Sequence, residues 1–142
     1  MDFDYTIDTT DTSDCPSEER VLSLVKHVFE GENVVGSAIG VVLTDHETVL
    51  ELNKAWLEHD YHTDVISFLL EEDPSALEGE VYVDVETARE RHAEFGTSVR
   101  QEIERYIVHG LLHLIGYDDA TPAEKQHMHK LEDTYLGLDN AL

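Results

Sequence analysis

The sequence predicts an α+β fold, a single domain in which a small mixed sheet packs against helices. Three observations favour it. Segments with a helical period are interspersed with short β-branched runs. The gaps between those runs include both hairpin and crossover lengths, as a mixed sheet requires. The 142 residues contain no Gly/Ser linker and no internal repeat, so we expect one domain over residues 1–142.

Four short runs are the candidate strands. Residues 5–9 alternate weakly, whereas 38–43, 65–70 and 79–83 are rich in the β-branched residues that pack well in sheets. Between the last two, Asp73-Pro74-Ser75 is a turn signal. These runs are long enough for a sheet of four short strands.

Five segments are candidate helices, and each begins at a residue that can cap a helix. The first starts at Ser17 and stops at Gly31, and the second is capped by Asp45. The other start signals are Asp84 or Thr87 for a helix to Gly96, Thr97 or Ser98 for a long helix to Gly116, and the capping box Thr121-Pro122-Glu124 for the last.

The composition restricts the partners. Nine basic residues against 32 acidic ones give a net charge of −23, which excludes an ordinary basic nucleic-acid groove and docking on an anionic membrane. We interpret the acidity as an adaptation to a salty cytoplasm, where salt screens the repulsion. The single cysteine, Cys15, suits a reducing cytosol, and no signal peptide or membrane-spanning run is visible. We therefore expect a cytoplasmic protein.

The segment 109–119 carries the strongest chemical signal. His109 and His113 are four residues apart on the long helix, so both imidazoles lie on one face. Gly116 allows a sharp turn that can bring Asp119 back under them. Two imidazole nitrogens and one carboxylate form a known catalytic zinc set with an open position for water. We predict one Zn²⁺ held by His109, His113 and Asp119; the alternative is a capped, partly buried helix end.

Gly110 distinguishes between two hydrolytic chemistries. Zinc proteases with the motif His-Glu-x-x-His use the glutamate as general base, and the spacing from 109 to 119 otherwise resembles their metzincin branch. Glycine cannot accept a proton, so the metal must supply most of the activation of water. Met128 lies where a supporting methionine would, although a plain core residue is the favoured interpretation.

The same segment resembles the YbeY family of bacterial rRNA-maturation endoribonucleases. The family signature is His-Gly-x-Leu-His-Leu-x-Gly-Tyr-Asp-His, and the chain departs from it only at Asp119, in place of the third His. Leu52-Asn53, the segment 63–68 (Thr-Asp-Val-Ile-Ser-Phe) and the segment 79–81 (Gly-Glu-Val) match further family motifs in the same order. The resemblance covers roughly residues 35 to 136.

The resemblance implies a zinc-dependent, single-strand-specific endoribonuclease acting in 16S rRNA 3′-end maturation and ribosome quality control. Its partners would be rRNA and the small ribosomal subunit, with no DNA and no membrane. Water on the open metal position would be the catalytic group, and no side chain is assigned that role. Two alternatives remain open: a zinc metallopeptidase with metzincin-like spacing, and a non-catalytic assembly factor whose structural metal has a fourth ligand such as His62.

One departure concerns RNA binding. The family usually has an arginine, thought to help bind RNA, where this chain has Leu57. His59, His62 or Lys54 could compensate. Thr63 and Asp64 are either substrate-facing or a simple turn before the strand.

The remaining polar candidates receive structural interpretations. We expect Ser67 to be a core hydroxyl bonded to backbone, and His127 and His129 to be solvated because residues two apart do not share a helix face. Asp118, which precedes the third ligand, could orient the motif or assist proton transfer, but it is not assigned a role. Four arginines are expected to be salt-bridge partners of helix glutamates rather than an RNA track: Arg89, Arg91, Arg100 and Arg105.

Overall fold

The fold is described here from a computed structural model, which covers residues 1–57, 64–73 and 75–138, with the side chains of residues 56 and 57 outside this description. Within these ranges it confirms the predicted α+β class. The strands are β1 (Asp2–Ile7), β2 (Gly36–Thr44), β3 (Val65–Glu71) and β4 (Leu77–Asp84). The helices are α1 (Glu18–Gly31), α2 (His46–Leu57), α3 (Val85–Arg91), α4 (Val99–Ile115) and α5 (Pro122–Leu136), with a 3₁₀ turn at His92–Phe95.

The four strands form one mixed sheet in the order β1-β2-β4-β3. β1, β2 and β4 are parallel neighbours, and β3 runs antiparallel to β4 at the edge. Val81 of β4 pairs with Val41 on one side and with Ser67 on the other. Because side chains alternate along a strand, these three residues face the same side of the sheet.

α4 is the central helix and lies on that inner side of the sheet, between α1 and α5. Its inward residues Ile103, Ile107 and Leu111 are fully buried in the main hydrophobic core. Such burial of a long apolar stripe provides most of a helix's stability in a folded protein. It also fixes which residues of α4 remain available for chemistry.

The local start and stop signals are largely confirmed. Ser98 caps α4 with Gln101, and Thr121 caps α5 with Glu124, each as a reciprocal capping box. Asp84 caps α3 by accepting bonds from the backbone N and the hydroxyl of Thr87 at 3.0 and 2.8 Å. The two residues proposed as alternative starts therefore form one cap.

Two predicted boundaries are wrong. β1 spans Asp2–Ile7 rather than 5–9, because its parallel register with β2 matches Asp2 to Ala38 and ends at Ile7 opposite Leu43. α3 ends at Arg91 rather than continuing to Gly96. The chain tightens into the 3₁₀ turn His92–Phe95 before Gly96 adopts a left-handed conformation, so the helical period continued past the α-helix itself.

No helix within the described ranges is both long enough and apolar enough to cross a membrane.

Candidate metal centre

The three predicted ligands converge at the C-terminal end of α4. The Nε2 atoms of His109 and His113 are 3.0 Å apart. The two carboxylate oxygens of Asp119 lie 3.3 Å from His109 Nε2 and 3.5 Å from His113 Nε2. Among the described residues, this is the group of His, Cys, Asp and Glu side chains that could hold a metal ion.

The turn after α4 brings Asp119 to the two histidines. Gly116 has φ of +119°, a backbone conformation that side chains strongly disfavour, and its N–H bonds back to the carbonyls of Leu112 and His113. Asp118 Oδ1 accepts a 2.9 Å hydrogen bond from the backbone N of Asp119. Asp118 therefore braces the loop that carries the candidate ligand, which is one of the two roles that the sequence left open for it.

Glu132 on α5 orients the His109 ring by contacting Nδ1, the ring nitrogen that faces away from the other candidate ligands. Its Oε2 lies 2.6 Å from His109 Nδ1, and the residue is only 5% exposed. Since a carboxylate accepts hydrogen bonds, it holds the proton on Nδ1 and leaves the Nε2 lone pair directed at Asp119 and His113. Arg105 holds Glu132 in place at 3.0 Å and reaches Asp133 at 2.7 Å.

The donor set fits a divalent cation. The His113 ring makes a hydrogen bond to the backbone of Tyr117. When the ring proton is on the nitrogen that makes this bond, the Nε2 lone pairs of the two histidines face each other. Two lone pairs at 3.0 Å repel unless a cation lies near them, and the Asp119 carboxylate adds a negative charge. Two imidazoles and one carboxylate suit zinc and other borderline metals.

The two imidazoles differ in basicity. Burial lowers the pKa of His109, but the hydrogen bond and the negative charge of Glu132 outweigh burial, so the pKa lies above its ordinary value. Burial and the neighbouring His109 hold the pKa of His113 below its ordinary value. In the metal-free protein, a shared proton is therefore held mainly by His109.

Gly110 lies on the side of α4 that packs against the sheet. A Cβ at this position would lie inside van der Waals contact of Val81 Cγ1 and 2.9 Å from Val65 Cγ2. Its carbonyl accepts a 2.7 Å hydrogen bond from Ser67 Oγ, which confirms the structural interpretation of Ser67. The position that holds the glutamate in zinc proteases therefore lacks a general base here, and packing leaves no room for one.

The other sequence candidates divide clearly. Met128 is 2% exposed and belongs to the core, as predicted. His127 and His129 are both exposed on α5, also as predicted. His59, His62 and Thr63 lie outside the described residues, as does the side chain of Leu57, so the RNA-binding and fourth-ligand hypotheses that involve them stay predictions.

The expectation that these arginines pair with glutamates of their own helical segments is confirmed for Arg91, whereas Arg105 and Arg89 pair with acids elsewhere in the fold. Arg105 pairs with two carboxylates of α5, Arg91 with Glu94 at 3.5 Å, and Arg89 with Asp14 at 3.9 Å. The strongest pairs therefore join different elements, whereas the sequence suggested partners on the same helices.

A cleft of about 530 Å³ adjoins the His109 side of the centre. Asp64, whose role the sequence left open, lies in its wall with His109 and Glu132. The other lining residues come from the end of α3, from the segment between α3 and α4, and from α4 and α5: Arg91, Phe95, Thr97, Glu102, Arg105, Tyr106 and His129.

Sequence reasoning missed Glu132, the pairing of Arg105 with acids of α5, and the cleft. A usable signal existed for Glu132, because it continues the apolar stripe of Met128, Leu131 and Tyr135 at helical spacing. An acid within such a stripe points inward and needs a partner. No local pattern predicts the roles of Arg105 and Phe95. The acidic partners of Arg105 lie on another helix, and an isolated phenylalanine gives no sign that it lines a cleft.

Comparisons with known proteins identify the family of this chain. The family described as "Endoribonuclease YbeY" matches residues 6–138. An endoribonuclease YbeY of Salinibacter ruber is 51% identical over 121 residues, covering 80% of this chain and 77% of that protein. One from Chloroherpeton thalassium is 35% identical over 119 residues, covering 84% of each. A Thermotoga maritima protein solved in solution superimposes with a TM-score of 0.60 at 26% identity, covering 94% of this chain and 89% of that one. The chain therefore belongs to the YbeY endoribonuclease family.

Proposed function

We propose that this protein is a zinc-dependent, single-strand-specific endoribonuclease that acts in 16S rRNA 3′-end maturation and in ribosome quality control. The observation that carries the proposal is the convergence of His109, His113 and Asp119 in a chain of this family. The names of the relatives supply the RNA substrate, and the donor set supplies the metal class. A cytoplasmic location, with rRNA and the small ribosomal subunit as partners, remains part of the proposal.

The residues of the centre have distinct tasks. His109, His113 and Asp119 would hold the ion, which when bound supplies Lewis acidity that activates water and offsets charge on phosphate oxygens. Glu132 keeps the His109 imidazole in the ligating tautomer. Asp119 brings a negative charge where the family usually has a neutral histidine, so we expect weaker Lewis acidity than with three imidazoles.

A metallopeptidase is disfavoured by a specific contact. Peptide hydrolysis at such a centre uses a glutamate next to the first histidine, and here Gly110 packs against Val81 and Val65 with no room for a side chain. A casein assay with and without a chelator tests this alternative, and chelator-sensitive turnover would restore it.

The metal and its role are tested together. Zinc content and cleavage of single-stranded RNA would be measured for His113→Ala and Asp119→Ala, with His127→Ala as a matched control on the exposed side of α5. We expect both ligand variants to lose zinc and cleavage, and the control to keep both. Retained zinc and unchanged cleavage in both ligand variants would contradict the assignment.

A structural metal is distinguished by its coordination. X-ray absorption on the purified protein counts the protein ligands and water around the ion. Three protein ligands plus water support catalysis, whereas four protein ligands would support the assembly-factor alternative.

A further inference from the structure

An exposed aromatic ring lies in the wall of the cleft beside the candidate metal centre. Phe95 is 55% exposed and lines the same cleft as His109. We propose that Phe95, with Arg91, is a stacking site for one nucleobase of single-stranded RNA. The proposal rests on the endoribonuclease function above and adds how that site holds its substrate.

The turn that carries Phe95 is rigidly closed. His92 Nδ1 lies 2.7 Å from the carbonyl oxygen of Thr97, and the backbone N of Thr97 donates to the carbonyl of His92 at 3.1 Å. The Thr97 hydroxyl also donates to Glu102 Oε1 at 2.8 Å, and Glu102 is only 3% exposed on α4. These bonds tie the turn that carries Phe95 to the helix that bears the candidate ligands, so the backbone that presents the ring is held in place.

Arg91 adds a planar guanidinium group beside the Phe95 ring. Its guanidinium carbon lies 5.4 Å from the centroid of Phe95, within the range of a cation–π contact. Aromatic rings and arginine planes are the two protein surfaces on which unpaired bases stack. A cleft of about 530 Å³ is within the usual size of small-molecule sites and has room for a nucleotide base.

The charge of the cleft selects a base rather than a phosphate. Asp64, Glu102 and Glu132 all line it, and Arg105 is already paired with Glu132 and Asp133. These carboxylates would repel a phosphate group, whereas an uncharged base would not be repelled. Stacking tolerates any base sequence and needs no net positive charge, which suits a chain of net charge −23 that cannot attract RNA by long-range electrostatics.

Variants of Phe95 test the site on the zinc-loaded protein. We expect Phe95→Ala and Phe95→Leu to raise KM for a single-stranded oligoribonucleotide about tenfold, with kcat nearly unchanged, because one base loses its stacking partner. Phe95→Trp should keep KM within about twofold, since it retains a flat ring. Val35→Ala, an exposed apolar control at another site, should leave KM unchanged. Thermal melting and zinc content verify folding and metal loading of each variant.

An abasic scan identifies the base. Removing one base at a time from the oligonucleotide should reveal one position where the loss raises KM in the wild type but adds little in Phe95→Ala. Equal KM for Phe95→Ala and wild type, or a Phe95→Leu variant that behaves like Phe95→Trp, would overturn the stacking site.

Binding separates this inference from the proposed function. The affinity of each variant for a fluorescent oligoribonucleotide can be measured by anisotropy even if the wild type does not cleave RNA. Absent cleavage would refute the endoribonuclease proposal, and the binding series would still decide the role of Phe95. Binding that is unaffected by Phe95→Ala would refute the stacking site even if cleavage is normal.

Discussion

His109 and Gly110 are consecutive residues of α4 but lie in contrasting environments. Gly110 faces the sheet, where Val81 and Val65 leave no space for a Cβ. His109, one position earlier, faces α5 and the cleft, where Glu132 holds its ring. The packed face requires the smallest side chain, and the chemical face requires polar groups with fixed partners.

This difference shows how the fold separates stability from chemistry. On the packed face any added atom displaces core residues, since protein interiors are close-packed. On the chemical face the side chains are partly accessible and bond to one another, so substitutions there should change function with a smaller effect on folding. Substitutions on each face can therefore break or sharpen the comparison.

Gly110→Glu should have the largest effect. It completes the sequence His-Glu-x-x-His but places a charged side chain against the sheet, so we expect a loss of folding stability above about 3 kcal/mol and no peptidase activity. Denaturant unfolding and a casein assay measure both. Gly110→Ala should cost about 1–3 kcal/mol. A Gly110→Glu protein with wild-type stability would show that the two faces are not as different as the packing implies.

Glu132→Gln should weaken metal binding while largely preserving the fold. The amide keeps the shape but can no longer hold the His109 proton as a carboxylate does, so we expect zinc affinity to fall about 10–100-fold. Competition with a chromophoric chelator measures it.

Asp133→Asn is the matched control for that change. Asp133 contacts Arg105 but not the histidine, so its loss should change zinc affinity by less than about twofold. Equal losses in both variants would indicate a general charge effect instead of orientation of His109.

Ser67→Ala should have a smaller effect, confined to the packed face. It removes the 2.7 Å hydrogen bond to the Gly110 carbonyl, and we expect a loss of about 1 kcal/mol in unfolding free energy with zinc content unchanged. Ser37→Ala, near the start of β2, removes an exposed hydroxyl that donates to the carbonyls of Ala76 and Leu77, and should change stability by less than about 0.5 kcal/mol. Zinc loss in Ser67→Ala would mean that the two faces are coupled.

Potassium chloride should affect the protein through its acidic surface rather than through either face of α4. With a net charge of −23, screening should raise both stability and activity up to molar KCl, although each exposed charge pair contributes only a few tenths of a kcal/mol. Thermal melts and cleavage rates across a KCl series measure this. A protein that works best at low salt would contradict the adaptation hypothesis.

Local signals in the sequence predicted much of the fold. The caps at Ser17, Ser98 and Thr121 and the turn at Gly116 depend on bonds within a few residues, so they are visible in one dimension. The β1 boundary was missed because an edge strand is defined by its register with β2, and that register is set by residues about 36 positions away.

The candidate metal centre combines features that the sequence predicts with contacts that only the packing of helices decides. The spacing of His109 and His113 follows from helix geometry alone, and Gly116 predicts the turn toward Asp119. Glu132, by contrast, reaches His109 only because α5 packs beside α4. The contacts that support a centre are therefore harder to predict than the ligands themselves.

By itself the sequence determined the fold class, the helix caps, the metal-binding pattern and the resemblance to the YbeY family, because each is encoded by residues at short, fixed spacings. Only the tertiary structure decided that packing leaves no room for a side chain at Gly110, that Glu132, itself paired with Arg105, holds His109, and that Phe95 lines a cleft next to it. These features depend on which elements pack together, and packing joins residues whose separation along the chain carries no local signal.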